Sequence, residues 1–166
     1  MGVFTGLVKR SDKLAFYGVK GESEKFHRMT KFTDISISKN PKEYSRQYID
    51  VDYEDTDVVG YSPSMSYGFD QYVGNLVHED IAKIHDNELM GDGAVRSIIM
   101  VDLTAAGTAE GSYLARKRDF AVIPDAEGDS TDAYTYSGNL KAKSTITVGT
   151  ATTTDGWQTC TFSDVV

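Results

Sequence analysis

The sequence predicts a mainly β protein of the α+β class: a sandwich or barrel of about seven or eight strands, with one flanking helix and a long projecting loop. Three observations predict this fold. Short segments between residues 14 and 163 alternate apolar and polar side chains with a period of two, which is typical of half-buried strands. Only residues 75–89 show the spacing of an amphipathic helix. Residues 40–57 fit neither pattern and are too long for an ordinary connection between strands.

Length and composition indicate one globular domain spanning residues 1–166, because 40% of the residues are hydrophobic and 25% are charged. The formal net charge of −8 argues against ordinary nucleic-acid binding, since free nucleic-acid binders are usually basic. No stretch approaches the ~18 apolar residues of a membrane span. The first residues, MGVFTG, lack a signal peptide's features and the Ser or Thr of a myristoylation motif. We therefore expect a protein made in the cytoplasm, without a membrane partner.

Two predicted strands share one pattern and are expected to pair in one sheet. They cover residues 26–38 and 58–70, and each carries apolar side chains on one face and small polar ones on the other. The apolar face of the second strand comprises Val59, Tyr61, Met65, Tyr67 and Phe69, and the expected core residues of the pair are Ile35, Ile37, Met65 and Tyr67. The small polar set on the opposite face comprises Asp34, Ser36, Ser38, Ser62, Ser64 and Ser66.

Turn signals divide the rest of the strands. A strand over residues 14–19 is expected to end at the Gly21-Glu22-Ser23 turn. Near the other end of the chain, Thr154-Asp155-Gly156 predicts the turn of a hairpin between strands at residues 144–150 and 157–163, because Asp-Gly tolerates positive φ.

The predicted helix follows the second of the paired strands. Val77, Ile81 and Ile84 recur on one stripe of it, which is the face expected to pack against the sheet. Asn75 is the expected N-cap, and the run Gly91-Asp92-Gly93 is the expected end.

Residues 40–57 are the most unusual segment of the chain. Their apolar side chains are Tyr44, Tyr48, Ile49, Val51 and Tyr53, and their five clustered acids are Asp50, Asp52, Glu54, Asp55 and Asp57. One interpretation is a mobile acidic surface loop. The favoured one is a projecting arm or hairpin that binds a partner, because protein interfaces enrich aromatic residues. Residues 1–12, which show no period, are expected to form an N-terminal arm.

The densest basic run, Arg116, Lys117 and Arg118, falls in a strand predicted over residues 113–124. Two interpretations stay open: a solvated edge strand protected by its charge, or a surface that pairs with an acidic neighbour. The candidate acidic partners are Asp50, Asp52, Glu54 and Asp55.

The sequence contains no recognisable catalytic set. His78-Glu79 would need a second histidine at position 82 to form a zinc protease motif, and that residue is Ala82. His78 and His85 are therefore expected to lie on a solvated face of the helix. The acids after residue 50 lack the Gly and Glu that complete an EF-hand, although weak calcium binding stays open. Cys160, the single cysteine, is expected to be a buried small hydrophobe. We therefore expect no enzyme, no metal site and no cofactor.

The run NPKEYSRQYIDVDYEDTDVVGYSPSMSYGFD, followed by a helix and AVRSIIMVDL, resembles the tail tube (major tail) proteins of long-tailed phages that infect Gram-positive bacteria. The resemblance covers roughly residues 13–163. It implies a β-sandwich or barrel with one flanking helix, assembled as hexameric rings that stack into a hollow tube through which viral DNA passes without specific binding. It also implies a virion-tail location and contacts with the tape measure, tail terminator and baseplate proteins, with no enzymatic activity and no cofactor.

The same resemblance assigns roles to the segments singled out above. Residues 40–57 correspond to the loop that bridges stacked rings, residues 1–12 to an N-terminal arm, and the small polar set to the wall of the lumen. Contractile and non-contractile tails and phage-derived bacteriocins share these features. Two alternatives from other classes remain: a monomeric carbohydrate-binding β-sandwich that uses the ten tyrosines and one tryptophan, and a small hydrolase with unrecognised catalysis.

Overall fold

The computed structural model describes residues 5–20, 25–128 and 130–164, so the expected Gly21-Glu22-Ser23 turn lies outside the described residues. Its strands are β1 (Lys13–Tyr17), β2 (Phe26–Arg28), β3 (Phe32–Ser38), β4 (Pro41–Arg46), β5 (Asp55–Tyr61), β6 (Ser64–Asp70), β7 (Val95–Ala106), β8 (Tyr113–Glu127), β9 (Thr135–Ala142), β10 (Thr147–Thr152) and β11 (Thr159–Asp164). The helix α1 covers Leu76–Asp86. Within the described ranges, no helix is long and apolar enough to cross a membrane.

Six strands close into a barrel, which confirms the predicted fold class. They follow the order β10, β11, β2, β1, β7, β8, and β8 pairs back to β10. The long strand β8 makes this possible: its first half pairs with β10 and its second half with β9, while β7 runs along its other side. The sheet therefore leaves the barrel along β8 and continues through β9 and β6 to β3.

Alternation along β1 and β7 divides the apolar side chains between two cores. The barrel interior holds Leu14, Phe16, Phe26, Ile99, Val101, Ala115, Ala151 and Cys160. Neighbouring residues of the same strands, such as Tyr17 and Ile98, point the other way into a second core. That core also contains the buried residues of β6, β9 and α1. The helix is thus the cover of the second core, and the barrel is closed without it.

The sequence correctly predicts the start of α1 and its buried face. The side chain of Asn75 accepts hydrogen bonds from the N–H groups of Val77 and His78, at 3.1 and 3.3 Å, as an N-cap does. Val77, Ile81 and Ile84 are at most 1% exposed, as predicted, and they belong to the second core.

The predicted end of the helix at Gly91-Asp92-Gly93 is wrong. Helix α1 ends at Asp86, and the glycine-rich run forms a separate 3₁₀ turn over Gly91–Ala94. The reason is local: Glu88 adopts a left-handed φ of 50°, and the N–H of Leu89 bonds back to the carbonyl of Ile84 at 3.2 Å. This closes the helix before the glycines are reached.

The prediction of a solvated face for His78 and His85 is also wrong, because their side chains are 0% and 6% exposed. His78 stacks on Phe69 with ring centroids 4.3 Å apart. Its Nδ1 accepts the N–H of Tyr72 at 3.1 Å, so its Nε2 must donate to the carbonyl of Thr30 at 2.9 Å. His85 shares a 2.6 Å hydrogen bond with the hydroxyl of Tyr67. Both histidines lie beside the apolar stripe of α1, where Phe69 and Tyr67 of β6 contact their rings.

This arrangement predicts that stability falls at acidic pH. Burial lowers the pKa of His78 from its ordinary 6.5, because imidazolium loses its hydration. His78 therefore binds a proton more readily in the unfolded chain than in the folded one. The stabilisation that neutral His78 contributes is complete above pH 6.5 and is lost as the pH falls towards the lower folded-state pKa. Urea unfolding at pH 7.5 and pH 5.5 should show a smaller free energy of unfolding at pH 5.5. His78→Asn should weaken this dependence, and an unchanged pH slope would contradict the assignment.

The strand predicted over residues 58–70 is in fact two strands. Pro63 cannot donate to a ladder and interrupts the alternation between β5 and β6. At the same point the side-chain amide of Asn40 donates to the carbonyl of Ser62 at 3.0 Å, which fixes the corner. Met65, Tyr67 and Phe69 are at most 2% exposed, as predicted. Val59 and Tyr61 are 57% and 63% exposed, so the prediction that they share a buried face with Met65, Tyr67 and Phe69 is wrong.

The strand predicted over residues 26–38 is likewise two, because Lys31 adopts a left-handed φ of 61° and turns the chain. β2 joins the barrel, whereas β3 pairs with β6 as predicted. Ile35 is half-buried against the second core. Ile37 is 41% exposed, so its core assignment is wrong: β3 is the last strand of the sheet, and Ile37 stands at the wall of an open cleft.

Candidate assembly surfaces

The projecting segment is a β-hairpin. β4 and β5 pair with each other in a two-stranded sheet of their own, with Tyr44 opposite Asp57, and the pairing extends beyond residue 57 to Tyr61. Every residue of β4 is exposed, and only Gly60 of β5 is partly covered. An isolated two-stranded hairpin is marginally stable in water. The hairpin therefore needs a packing surface that its own chain does not supply in the described ranges.

The far end of the hairpin, residues 47–55, combines exposed apolar groups with negative charge. Ile49 is fully exposed, and Tyr48 and Tyr53 are 52% and 73% exposed. Val51 is half-buried, and its N–H bonds to the carbonyl of Tyr48 at 3.3 Å. The predicted contact acids Asp50, Asp52, Glu54 and Asp55 are all exposed. We call residues 47–55 the hairpin tip.

The N-terminal arm is described from residue 5 onward, and residues 1–4 lie outside the described part. Leu7 and Val8 are 87% and 44% exposed, and the segment enters β1 through a 3₁₀ turn over Arg10–Asp12. The arm thus offers a second exposed apolar segment. Its contact with a neighbouring subunit stays a prediction.

The basic run does not lie on an edge strand, so that interpretation is wrong. β8 pairs with β7 on one side and β10 on the other along residues 114–117. Alternation then separates the three side chains. Lys117 lies on one face with its Nζ 5.6 and 5.8 Å from the rings of Phe26 and Phe162, whereas Arg116 and Arg118 point to the other face. The three cations do not form one patch.

Arg116 and Arg118 instead line a cleft of about 200 Å³ between β1, β7 and β8 on one side and β3 and β6 on the other. The buried residues Met65, Ile98 and Phe120 form its floor. Its charged residues are Lys13, Lys39, Asp102, Arg116 and Arg118. We call it the basic cleft. Sequence reasoning missed it because Lys13 and Lys39 are far from β8 in the chain and only the tertiary fold brings them together.

Two polar groups in the basic cleft show its electrostatic character. The Nε of Arg118 is buried and has no hydrogen-bond partner among the described residues. Burial alone would raise the pKa of Asp102, but hydrogen bonds from Thr104 and the charges of Lys13 and Arg116 together lower it, so this carboxylate stays ionised. With four cations against one anion, the cleft keeps a net positive charge in an acidic chain.

Five members of the predicted small polar set, Asp34, Ser36, Ser38, Ser64 and Ser66, share one face of the sheet. Ser36 is opposite Ser66 and Ser38 opposite Ser64, and the hydroxyl of Ser66 donates to Asp34 at 2.9 Å. Ser62 is exposed at the corner before β6. This face is opposite to the buried Met65 and Tyr67, as the alternation predicted. Its place in the lumen stays a prediction.

The polar face continues onto β9, which sequence reasoning did not include. Ser137, Asn139 and Lys141 lie opposite Gly68, Ser66 and Ser64 in the register of β6 and β9. The signal was present in the sequence, because these residues alternate with the buried Tyr136 and Leu140. Across β3, β6 and β9 this face carries small polar and charged groups and no aromatic ring.

Buried polar groups elsewhere have structural roles. The hydroxyl of Tyr17 donates to Asp80 at 2.5 Å, and Arg96 pairs with the same carboxylate at 2.8 Å, which ties α1 to β1 and β7. Cys160 is 2% exposed, as predicted, and burial raises the pKa of its thiol to about 12. A thiol with that pKa is protonated at neutral pH, so it is a poor nucleophile.

Comparison with known proteins adds little to these observations. No family profile and no curated protein sequence matches the chain. Among solved structures, a chain of the six-fold symmetrised cryo-EM structure of the anti-feeding prophage baseplate is similar, with a TM-score of 0.47 and 6% identity over 87% of this chain and 96% of that one. A likeness at that level carries no argument about function, which must rest on the surfaces described above.

Proposed function

We propose that this chain is a structural subunit of a phage-type tail, in which six-membered rings stack into a hollow tube that conducts DNA. The observation that carries the proposal is the β4–β5 hairpin, whose exposed tyrosines, Ile49 and Val58 find no packing surface among the described residues of their own subunit. Such a hairpin is suited to bury its side chains against another copy. The resemblance of residues 40–70 and 94–103 to tail tube proteins supports the same conclusion.

The polar face suits the wall of a DNA-conducting tube. Duplex DNA carries about one negative charge per 1.7 Å of its axis, so a basic wall would hold it. The face of β3, β6 and β9 presents hydroxyls, an amide, Asp34, Asp70 and Lys141, which hydrate well and carry no net positive charge. It also lacks the aromatic platforms that retain nucleic-acid bases. We therefore assign Asp34, Ser36, Ser38, Ser62, Ser64 and Ser66, together with Ser137, Asn139 and Lys141, to the lumen.

The proposal includes no catalysis and no cofactor. Contacts with the tape measure, tail terminator and baseplate proteins at the tube's ends follow from the resemblance, as does a location in the virion tail. A carbohydrate-binding module would display several aromatic rings on one sheet face, whereas here four exposed tyrosines, Tyr44, Tyr48, Tyr53 and Tyr61, lie on the hairpin.

Light scattering coupled to size-exclusion chromatography tests the proposal across protein concentration and salt. We expect a species of about six times the 18.2 kDa subunit mass, followed by larger stacks as concentration rises. Because apolar side chains supply most of the interface, high salt should weaken assembly only modestly. A chain that stays at 18.2 kDa under all conditions would contradict the proposal, and retention of that monomer on a polysaccharide resin would favour the carbohydrate-binding alternative.

A further inference from the structure

We infer that the basic cleft of one subunit is the receptor for the hairpin tip of another copy of this chain. The inference rests on the proposed self-assembly and deepens it, because it names the surface that the hairpin contacts. It also separates Arg116 and Arg118, which line the cleft, from Lys117, which faces the rings of Phe26 and Phe162 on the other side of the strand.

Charge complementarity is the first argument. Residues 47–57 contain five acids and no Lys or Arg. The cleft gathers Lys13, Lys39, Arg116 and Arg118 around the single carboxylate of Asp102, in a chain whose overall charge is −8. The most negative segment of the chain thus has a positively charged cleft as its complement, although the cations come from distant parts of the sequence.

An unsatisfied donor in the cleft and exposed acceptors at the tip give the second argument. The Nε of Arg118 is buried without a hydrogen-bond partner in the described ranges, which is costly unless an acceptor arrives. The tip offers four exposed carboxylates in residues 50–55. In turn, Ile37 and Ile146, which line the cleft and are 41% and 40% exposed, offer an apolar surface to Ile49. With about 200 Å³, the cleft holds one or two side chains and leaves the rest of the tip over the cations.

The position of the hairpin explains why the occupant is a second copy. Its base joins the sheet at Asn40 and Ser62, and the adjacent residues Lys39 and Pro63 themselves line the cleft. The six residues of β4 then carry the tip roughly 20 Å away from that base. The tip is therefore too far from the cleft of its own subunit to enter it. A contact between the tip of one copy and the base of the next is head-to-tail, and such contacts propagate into stacks of one polarity.

Disulfide trapping between two full-length variants tests the inference directly. The Ile49→Cys variant is mixed with one of two partners, Ile146→Cys or Ile123→Cys. Ile146 lines the cleft and Ile123 lies outside it. Both residues are 40% exposed, so the two partner cysteines are equally accessible. The native Cys160 is 2% exposed and is kept in every variant. After mild oxidation, we expect the 49–146 cross-linked dimer to exceed the 49–123 dimer by about ten-fold, because only the docked pair is held together.

The outcomes separate this inference from the proposed function. If wild-type tubes form but the 49–146 link is no more abundant than the 49–123 link, the cleft is not the receptor and the tube proposal stands. If Leu7→Cys links to Ile146→Cys instead, the occupant is the N-terminal arm of a neighbour and the inference is wrong. A strong 49–146 link without rings or tubes would support the contact and contradict the tube.

A charge-reversal pair provides the second readout. Arg116→Glu should raise the protein concentration needed for assembly by about ten-fold, because a like charge then meets the acidic tip in every interface. Lys117→Glu should leave that concentration within about two-fold of wild type, since Lys117 faces away from the cleft. Thermal unfolding of each variant shows that the subunit is folded. Equal effects of the two reversals would overturn the inference, and restoration of Arg116→Glu by Asp50→Lys would support it.

Discussion

Replacement of residues 42–60 by Asn-Gly is expected to abolish tubes and to leave a folded subunit. Pro41 and Tyr61 form the pair at the base of the hairpin, next to the sheet. A two-residue turn between them therefore preserves the corner at Asn40. The removed residues contribute no side chain to either core. Negative-stain microscopy should therefore show no stacks, while urea unfolding remains cooperative with a free energy within about 1 kcal/mol of wild type.

A milder variant provides the control for this excision. Ile49→Ser with Tyr48→Ser keeps the acids and the strands but removes two exposed apolar side chains from the tip. It should weaken stacking without abolishing the hairpin. Tubes of normal length from the shortened chain would show that the hairpin is not the assembly element and would contradict the proposed function.

Ile81→Asp is expected to unfold the subunit. Ile81 is 0% exposed in the second core, and a carboxylate there would be buried without a partner. The expected loss exceeds about 4 kcal/mol, which is comparable to the lower end of the 5–15 kcal/mol that stabilises a typical domain. Circular dichroism and urea unfolding measure the loss directly.

Lys83→Asp is the matched control, because Lys83 lies two residues along the same helix and is exposed. It places a negative charge near the C-terminus of α1, where the helix dipole disfavours it by about 0.3–1 kcal/mol. Lys83→Asp should therefore leave the subunit folded. If Ile81→Asp and Lys83→Asp lost similar amounts of stability, the helix would not be docked as the structure shows.

Local signals predicted much of this fold from the sequence. The N-cap at Asn75, the buried stripe of α1 and the pairing of β3 with β6 depend on residues close in sequence or on matching alternation. The β10–β11 hairpin was correctly predicted from the Asp-Gly turn: Gly156 adopts a φ of 72°, and Asp155 accepts the N–H of Thr159 at 3.0 Å. The hydroxyl of Thr159 also donates to this carboxylate, and the two hydrogen bonds lower the pKa of Asp155 to about 2.

Features that depend on tertiary contacts were not predicted. His78 and His85 were assigned to solvent because of their polarity, whereas the rings of Phe69 and Tyr67 and the backbone of Thr30 and Tyr72 make their burial favourable. The barrel closes because the first half of β8 pairs with β10 and its second half pairs with β9. No local sequence pattern marks that change of partner. The basic cleft depends on how β3 and β6 lie against the barrel strands, which no local pattern marks either. Of the candidate surfaces, the sequence therefore predicted only the hairpin and the polar face.

The central claim is that copies of this chain stack into a hollow tube with the polar face of β3, β6 and β9 inside. A helical cryo-EM reconstruction of the assembled full-length protein tests it most directly. We expect six subunits in each ring, with Ser36, Ser66 and Asn139 lining the channel and the hairpin tip of each subunit reaching the next ring. A tube with this face turned outward, or a preparation that contains only monomers, would contradict it.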